Sequence, residues 1–221
     1  MTDVDSALWD AYNTLLLGPD TDRIRKLVVR YELAKLGLEV PGEFVECGVF
    51  KGAGCLYWLK LLHILEPGSL RRVIGFDTFT EFASNQRPDE RAAIQEFVDD
   101  AAFEGVHADA IAQRAATAGL GERLELVAGD IASTAPAFVE RNPGLRFALL
   151  HLDLDTYDGT RAALEAFYPR MTRGGVVVLD EYGIAGWGES DAADEFLSAH
   201  PDIRLTAVPH SAKPTAYFRK P

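Results

Sequence analysis

Five short apolar runs, each separated from the next by a stretch with helical spacing, constrain the fold of this chain more than any other feature. The runs are EFVECGV (43–49), RVIGFDTF (72–79), LELVAGD (124–130), RFALLHLD (146–153) and GGVVVLDEY (174–182). Runs that stay largely apolar are typical of strands covered by helices on both faces. The sequence therefore predicts an α/β fold with an open, mostly parallel sheet.

The two ends of the chain differ from this alternating middle. Apolar positions at helical spacing, broken by GPD at 18–20, predict two helices within 5–37, in an N-terminal extension over 1–40. At the other end, IRLTAVPHSAKPTAYFRK places two strand-like runs around a turn that is too short for a crossover helix. The last strand must therefore run antiparallel to its neighbour, in a sheet of seven strands.

The length of the chain favours a single domain. A chain of 221 residues can bury one sizeable core, so we expect one domain over 1–221. The stretch 80–120, which contains NQRPDER, is too long for a simple connection and predicts a helical, lid-like insertion over the sheet edge.

Charge and cysteine usage disfavour several classes of protein. A formal net charge of −12 argues against nucleic acid as a partner, because proteins that bind phosphate backbones cluster Lys and Arg. Cys47 and Cys55 are interpreted as small packed side chains in a reducing compartment. The acidic start MTDVDSALWD is unlike a signal peptide, and no apolar run reaches the ~18 residues of a membrane span. We therefore expect a soluble, cytoplasmic protein that has no membrane partner.

The loop after the first predicted strand carries the first candidate binding residues. Ligands of open α/β sheets bind outside the carboxyl ends of the strands. The first strand ends in Glu46 and opens into CGVFKGAG, where Gly48, Gly52 and Gly54 allow the backbone to approach a ligand closely. A glycine-rich turn is also a common strand-to-helix connection, so the glycines alone do not decide between the two roles.

Acids at the ends of the next two strands extend this site. Asp77 is placed to accept hydrogen bonds from both hydroxyls of a ribose, and Asp130 to reach an adenine amino group. Each acid is equally a candidate N-cap of the helix that follows. Together the three strand ends predict a pocket for an adenosine-bearing cofactor. The glycine spacing and the lack of a Gly-Lys-Ser triplet favour S-adenosylmethionine, which has no pyrophosphate, over NAD or a nucleoside triphosphate.

The fourth and fifth predicted strands both end in acids. Asp153 follows the fourth strand, and Asp180 and Glu181 follow the fifth. Because these strands are neighbours in a doubly wound sheet, we expect the three carboxylates to converge, which is unfavourable unless a cation or a basic group joins them. Oxygen ligands with no nearby Cys indicate a hard divalent ion, Mg²⁺ before Mn²⁺ or Ca²⁺. The alternative is that the three acids cap the turns and helices that follow them.

Other residues near these acids have less specific interpretations. The alternation of HLDLD places His151, Asp153 and Asp155 on one face. A histidine in a buried strand is more often a structural group than a base, so we assign His151 a structural role. Beyond the acidic pair, Tyr182 and Trp187, together with Glu189, are explained equally well by an acceptor wall and by packing.

Four segments of the sequence resemble the macrocin O-methyltransferase family, metal-dependent sugar O-methyltransferases of antibiotic and surface-polysaccharide pathways. They are VPGEFVECGVFKGAG, VIGFDTF, LLHLDLDTYDGTRAALEAFYPRMTRGGVVVLDEYG and WGESDAADEF. The resemblance covers about residues 25–200 and implies a class I methyltransferase (Rossmann-like) fold.

The resemblance also implies roles for individual residues. The metal-binding acids of the family fall on Asp153, Asp180 and Glu181, and the first of them is the implied general base. The chain departs from the family pattern at Glu181, where Asp is more common, and at Thr156, where an apolar residue is more common. A homo-oligomer is a further expectation from the resemblance.

These observations lead to one main functional hypothesis and several rivals. The hypothesis is metal-dependent methyl transfer from S-adenosylmethionine to a hydroxyl of a small-molecule sugar acceptor, with the insertion closing over the sugar. A catechol methyltransferase would use the same metal chemistry, and a metal-independent one would not. A dehydrogenase is disfavoured because the one Tyr-x-x-x-Lys spacing, Tyr31 to Lys35, precedes the first strand. A non-catalytic adenosyl-binding protein would not need three converging carboxylates.

Overall fold

The computed structural model describes residues 3–80, 82, 86–100, 107–209 and 213–221, with side chains from Ser6 onward. Its strands are β1 (Glu43–Cys47), β2 (Val73–Asp77), β3 (Leu124–Ala128), β4 (Phe147–Leu152), β5 (Met171–Leu179), β6 (Thr206–Ala207) and β7 (Ala216–Arg219). Its helices are α1 (Asp3–Leu17), α2 (Asp22–Leu38), α3 (Ala53–Leu65), α4 (Arg91–Asp100), α5 (Ala108–Thr117), α6 (Ile131–Arg141), α7 (Tyr157–Phe167) and α8 (Glu189–Ser198). Short 3-10 turns lie at Gly121–Arg123 and Tyr168–Arg170.

Within the described residues, seven strands form one sheet in the order β3-β2-β1-β4-β5-β7-β6. The first five strands are parallel, and β7 runs antiparallel to both β5 and β6. The predicted fold class and the antiparallel last strand are therefore confirmed. The chain order reverses direction between β1 and β4, and at such a switch point the loops on either side separate and leave room for a ligand.

Helices cover both faces of the sheet because the central strands are apolar on both sides. In β4, the adjacent residues Leu149 and Leu150 are fully buried in two different hydrophobic clusters. One cluster includes residues of α2, α3 and α5, and the other includes residues of α6, α7 and α8. Burying each leucine contributes ~2 kcal/mol, which explains why these strands form a continuous core.

One helix of the extension and one helix of the insertion lie against the sheet. From the N-terminal extension, α2 buries Val29 and Leu33 in the core and packs on β4 and β5 of its own sheet. The insertion contributes α4 and α5, and α5 packs on the edge strand β3. Positions 81, 83–85 and 101–106 of the predicted insertion lie outside the described residues.

Candidate active site

A cavity of about 450 Å³ lies at the carboxyl ends of the parallel strands. Loops that follow β1 to β5 line it, at the place where open α/β sheets bind ligands. Seven of the predicted site residues line it: Glu46, Gly48, Asp77, Asp130, Asp153, Asp180 and Glu181. The eighth, Gly52, lies behind the wall as the N-cap residue of α3.

The loop after β1 is held against two other strand ends. Asp77 accepts hydrogen bonds from the backbone N–H groups of Val49 at 2.7 Å and Phe50 at 2.8 Å. On the other side, Gly48 has a φ of +88°, and a Cβ there would lie 1.7 Å from the carbonyl oxygen of Asp153. Gly48 is therefore required by a close approach between the β1 and β4 loops. Asp77 holds the loop after β1 in place, and its contact with a ribose stays a prediction.

Asp130 has a structural contact as well as a place in the cavity wall. Its Oδ1 accepts a hydrogen bond of 2.9 Å from the N–H of Ala132, so it is the N-cap of α6. The alternative role predicted for Asp130 from the sequence, as a helix N-cap, is therefore present in the structure. A carboxylate has further lone pairs, so capping leaves acceptor capacity for a ligand. The adenine contact of Asp130 stays a prediction.

Glu46 is fully buried at the base of the cavity, and its two oxygens differ. Oε1 lies 3.1 Å from Nδ1 of His151 and accepts a hydrogen bond from the indole N–H of Trp58. Burial opposes ionisation, but the bond with His151 and the charge of Arg30 hold the pKa of Glu46 below its ordinary value. Oε2 is buried and has no hydrogen-bond partner. A buried carboxylate oxygen without a partner suits the ammonium group of an S-adenosylmethionine ligand.

The predicted acids lie at the other end of the cavity, in two overlapping groups rather than in one. One oxygen each of Asp153, Asp155 and Glu181 lie within 4.8 Å of one another. Ligand atoms of His151, Asp153 and Asp180 form a second group of the same size, so Asp153 belongs to both. Asp155, which the sequence placed on the same face without a role, therefore belongs to the cluster.

His151 joins the acid cluster to Glu46. Its Nε2 lies 3.1 Å from Oδ1 of Asp180, while Nδ1 faces Glu46. Burial favours the neutral ring, but the bonds with Asp180 and Glu46 raise the pKa of His151 to about 9. An imidazolium that donates both N–H groups to carboxylates is not a proton acceptor. This geometry agrees with a structural role for His151.

Burial and mutual repulsion control the protonation of the acids. Burial and the charge of Asp180 raise the pKa of Asp153 to about 7. Burial and the charge of Asp153 raise the pKa of Asp155 well above its ordinary value. Burial also raises the pKa of Glu181. Burial opposes ionisation of Asp180 too, but the bond from His151 and the charges of His151, Lys26 and Arg30 together lower its pKa. The cluster therefore holds more carboxylates than it can ionise by itself near neutral pH.

Basic residues that sequence reasoning missed lie beside these acids. Lys26 and Arg30 of α2 lie 4.0 Å from Asp180 and 3.8 Å from Asp153, respectively. Lys213, between β6 and β7, pairs with Glu181. The spacing of Lys26 and Arg30, one helical turn apart in the extension, is the local signal that could have identified one basic face.

The donor set fits a hard divalent cation. Carboxylate oxygens are the ligands that such ions prefer, and several lie within 4.8 Å of one another. Oε2 of Glu181 is buried without a hydrogen-bond partner, so it is available as a ligand atom. The basic residues neutralise part of the charge, but burial and the charge of Asp180 still raise the pKa of Asp153.

The three residues considered for an acceptor wall have different positions. Trp187 lines the cavity, and its ring packs edge-on against that of Phe97 from α4 at 6.5 Å. Glu189 is buried instead, where it accepts a hydrogen bond from the backbone N–H of Glu181 at 2.8 Å. Tyr182 donates its hydroxyl hydrogen to Asp194. Of the three, Trp187 is the one placed to contact an acceptor.

We expect the free energy of unfolding in chelator to fall as the pH rises from 5 to 9. Folding raises the pKa of Asp153 from 3.8 to about 7, so its ionisation destabilises the folded state as the pH approaches 7. Folding raises the pKa of His151 from 6.5 to about 9, so its stabilisation is lost between these values. Together these changes amount to a few kcal/mol.

Urea unfolding at pH 5.5, 7.0 and 8.5, with chelator and with Mg²⁺, tests this expectation. The ion should stabilise the protein more at high pH, because it binds the ionised acids. Folding lowers the pKa values of Glu46 and Asp180, so their contributions to the free energy of unfolding change only below pH 5. A stability in chelator that rises with pH would contradict the assignment.

The sheet order, the antiparallel last strand and the cavity at the strand ends define a class I methyltransferase fold. The profile of the macrocin O-methyltransferase (TylF) family matches residues 21–219. The chain belongs to this family, which uses S-adenosylmethionine as methyl donor.

Two curated relatives show similarity over part of their length. One is the 8-demethyl-8-(2,3-dimethoxy-α-L-rhamnosyl)-tetracenomycin-C 4′-O-methyltransferase of Streptomyces olivaceus, 30% identical over 152 residues and 66% of this chain. The other is the mycinamicin III 3″-O-methyltransferase of Micromonospora griseorubida, 24% identical over 164 residues and 73% of this chain. The chain spans 54% and 62% of the length of these relatives.

A solved structure is similar over nearly the whole chain. The crystal structure of the calicheamicin methyltransferase CalS11 has a TM-score of 0.75 and 30% identity, covering 94% of this chain and 83% of that chain. A second similar structure is the apo form of CalS11, which is described there as a TDP-rhamnose 3′-O-methyltransferase. Within the described residues, none of the helices combines the length and apolarity that crossing a membrane requires.

Proposed function

We propose that this chain transfers a methyl group from S-adenosylmethionine to a sugar hydroxyl of a glycosylated natural product or a nucleotide deoxysugar. The observation that carries the proposal is the convergence of acids at one end of a cavity whose other end has the cofactor-binding features. The relatives named above act on rhamnosyl and related sugar groups, which supports a sugar acceptor. Secondary-metabolite or polysaccharide biosynthesis is the corresponding biological setting.

At the cofactor end, five residues are proposed to hold S-adenosylmethionine. They are Glu46, Gly48, Gly52, Asp77 and Asp130. The cofactor supplies an electrophilic sulfonium methyl group. Glu46 would bind its ammonium group through the unpartnered Oε2, and Asp77 would bind the ribose while holding the β1 loop. Positioning by this loop accounts for much of the proposed rate acceleration.

At the acidic end, Asp153, Asp180 and Glu181 are proposed to hold Mg²⁺ or another divalent ion. Such an ion lowers the pKa of a bound hydroxyl, which an alcohol needs because its own pKa lies far above neutrality. Asp153 is the proposed general base, because its carboxylate belongs to both groups of ligand atoms and so lies beside a hydroxyl that the ion would bind. Asp155 belongs to the same cluster and also has a raised pKa, and comparing pH–rate profiles of Asp153→Asn and Asp155→Asn distinguishes the two as the base.

The insertion is proposed to close over the acceptor and exclude water. Phe97 of α4 supports this, because its ring packs against Phe50 from the β1 loop and Trp187 beyond β5. Residues 1–221 are proposed to work as one domain, with an association of identical chains as a further expectation. Cys47 and Cys55 are buried and free, which supports a reducing, cytoplasmic compartment.

The test is methyl transfer from labelled S-adenosylmethionine to a panel of deoxysugar nucleotides, glycosylated natural products and catechols, with Mg²⁺ and with chelator. We expect a methylated sugar in the presence of Mg²⁺ and no product in chelator. Product that persists in chelator would contradict the metal role, and methylation of catechols alone would contradict the sugar acceptor. Tight cofactor binding without any product would favour a binding protein.

A further inference from the structure

Asp155 has a backbone conformation that requires support. Its φ is +63°, in the left-handed region that L residues rarely adopt. The N–H of Thr156 donates to the carbonyl oxygen of Leu154 at 2.6 Å, so Asp155 occupies the centre of a γ-turn. Such a conformation persists where surrounding contacts hold it in place, and it is common at functional sites.

Two contacts hold this turn from outside the β4–α7 segment. The carbonyl oxygen of Asp155 accepts a hydrogen bond of 3.0 Å from the N–H of Gly188. The N–H of Tyr157 donates to Oε1 of Glu90 at 2.6 Å. Thr156, the N-cap residue of α7, makes no capping bond with its own side chain. The carboxylate of Glu90 therefore supplies the cap, and its charge is favourable at a helix N-terminus.

Glu90 is itself rigidly placed. Its exposed fraction is 2%, and its second oxygen accepts a hydrogen bond from the N–H of Arg87 at 2.9 Å. The guanidinium of Arg87 lies 4.3 Å from the ring centre of Tyr157 and 2.8 Å from Asp191 of α8. A Cβ at Gly188 would lie 1.8 Å from Oε1 of Glu90, so these segments pack without spare room.

We propose that Glu90 is a positioning residue that holds Asp155 in the acid cluster and links the insertion to the β4 loop. The residue acts through the Tyr157 N–H and does not contact a ligand. The expected effect of Glu90 on ion binding rests on the proposed divalent-ion site. Its support of the turn at Asp155 does not depend on that site.

The experiment compares Glu90→Ala and Glu90→Gln with the matched control Asp89→Asn, which changes an exposed neighbouring acid. Hydrogen exchange of the full chain reports on the amides of 153–160, with those of β1 as reference. Titration with Mn²⁺ alone and with S-adenosylmethionine alone gives the two affinities. No acceptor is needed for any of these measurements.

For Glu90→Ala we expect faster exchange confined to 153–160 and ~10-fold weaker Mn²⁺ binding, with cofactor affinity within a few fold of wild type. Glu90→Gln keeps an oxygen acceptor but loses the charge. Its exchange rate at 153–160 and its Mn²⁺ affinity should therefore lie between those of wild type and Glu90→Ala. The control should match wild type. If Glu90→Ala does not fold, the Glu90→Gln values decide.

Three results would overturn the proposal, and the first two concern hydrogen exchange. One is exchange at 153–160 that matches wild type, and the other is a uniform increase over the chain with equal losses of both affinities. Unchanged Mn²⁺ affinity despite faster local exchange would likewise exclude the positioning role. If wild type binds no Mn²⁺, the proposed ion site fails, and local exchange alone decides whether Glu90 holds the turn.

Discussion

Replacing Asp180 with Asn is expected to lower methyl-transfer turnover by ~1000-fold, corresponding to several kcal/mol of transition-state stabilisation. The side chain keeps its shape but loses the charge that faces His151 and Lys26. The proposed cation site then lacks one of its ionised ligands. S-adenosylmethionine affinity should stay within a few fold of wild type, because the cofactor residues belong to other strand ends. Turnover and cofactor binding by calorimetry give the two quantities.

The control for this variant is Asp202→Asn, which removes one acid from an exposed turn beyond α8. It should leave turnover and cofactor affinity unchanged, so a simple effect of net charge is excluded. Equal losses of turnover and cofactor affinity in Asp180→Asn would instead mean that Asp180 supports the fold through its bond with His151.

Replacing Gly48 with Ala is expected to destabilise the protein by ~3 kcal/mol or more and to abolish cofactor binding. The new Cβ would lie 1.7 Å from the carbonyl oxygen and 2.6 Å from the carbonyl carbon of Asp153. Backbone atoms cannot move aside as a flexible side chain can, so the β1 and β4 loops must separate. Urea unfolding measures the stability, and calorimetry measures the binding of S-adenosylmethionine.

The matched control is Gly68→Ala. Gly68 also has a positive φ, of +83°, but a Cβ there has nothing within 4 Å. Its replacement should therefore show the conformational penalty alone, ~1 kcal/mol. If the two variants lose the same stability, the close approach at Gly48 is not what requires glycine.

The strands were predictable because burial on both faces produces runs that remain apolar, which is a local signal. All five runs form strands, but their ends differ from the prediction. The fifth run was predicted over 174–182, whereas β5 covers Met171–Leu179 and begins by pairing with Phe147 of β4. Pairing between strands decides where a strand starts, and a single run contains no information about its partner.

The acidic end of the site was predictable for a related reason. Parallel neighbours end at the same edge of a sheet, so Asp153, Asp180 and Glu181 all line the same end of the cavity. Asp180 and Glu181 nevertheless fall in different groups of ligand atoms, which share Asp153. The structural contacts of the cofactor acids were less predictable. Asp77 holds a backbone loop and Asp130 caps a helix, and both roles depend on which N–H groups the folded chain brings near them.

The sequence by itself determined the layer architecture, the antiparallel last strand and the edge of the sheet at which the site lies, since these follow from local periodicity and strand order. Only the tertiary structure decided which cations face the acids, that His151 bridges Glu46 and Asp180, and that Glu90 caps α7 from 67 residues away. Burial and the distances between charges control protonation, and both arise from contacts between segments that are distant in the chain.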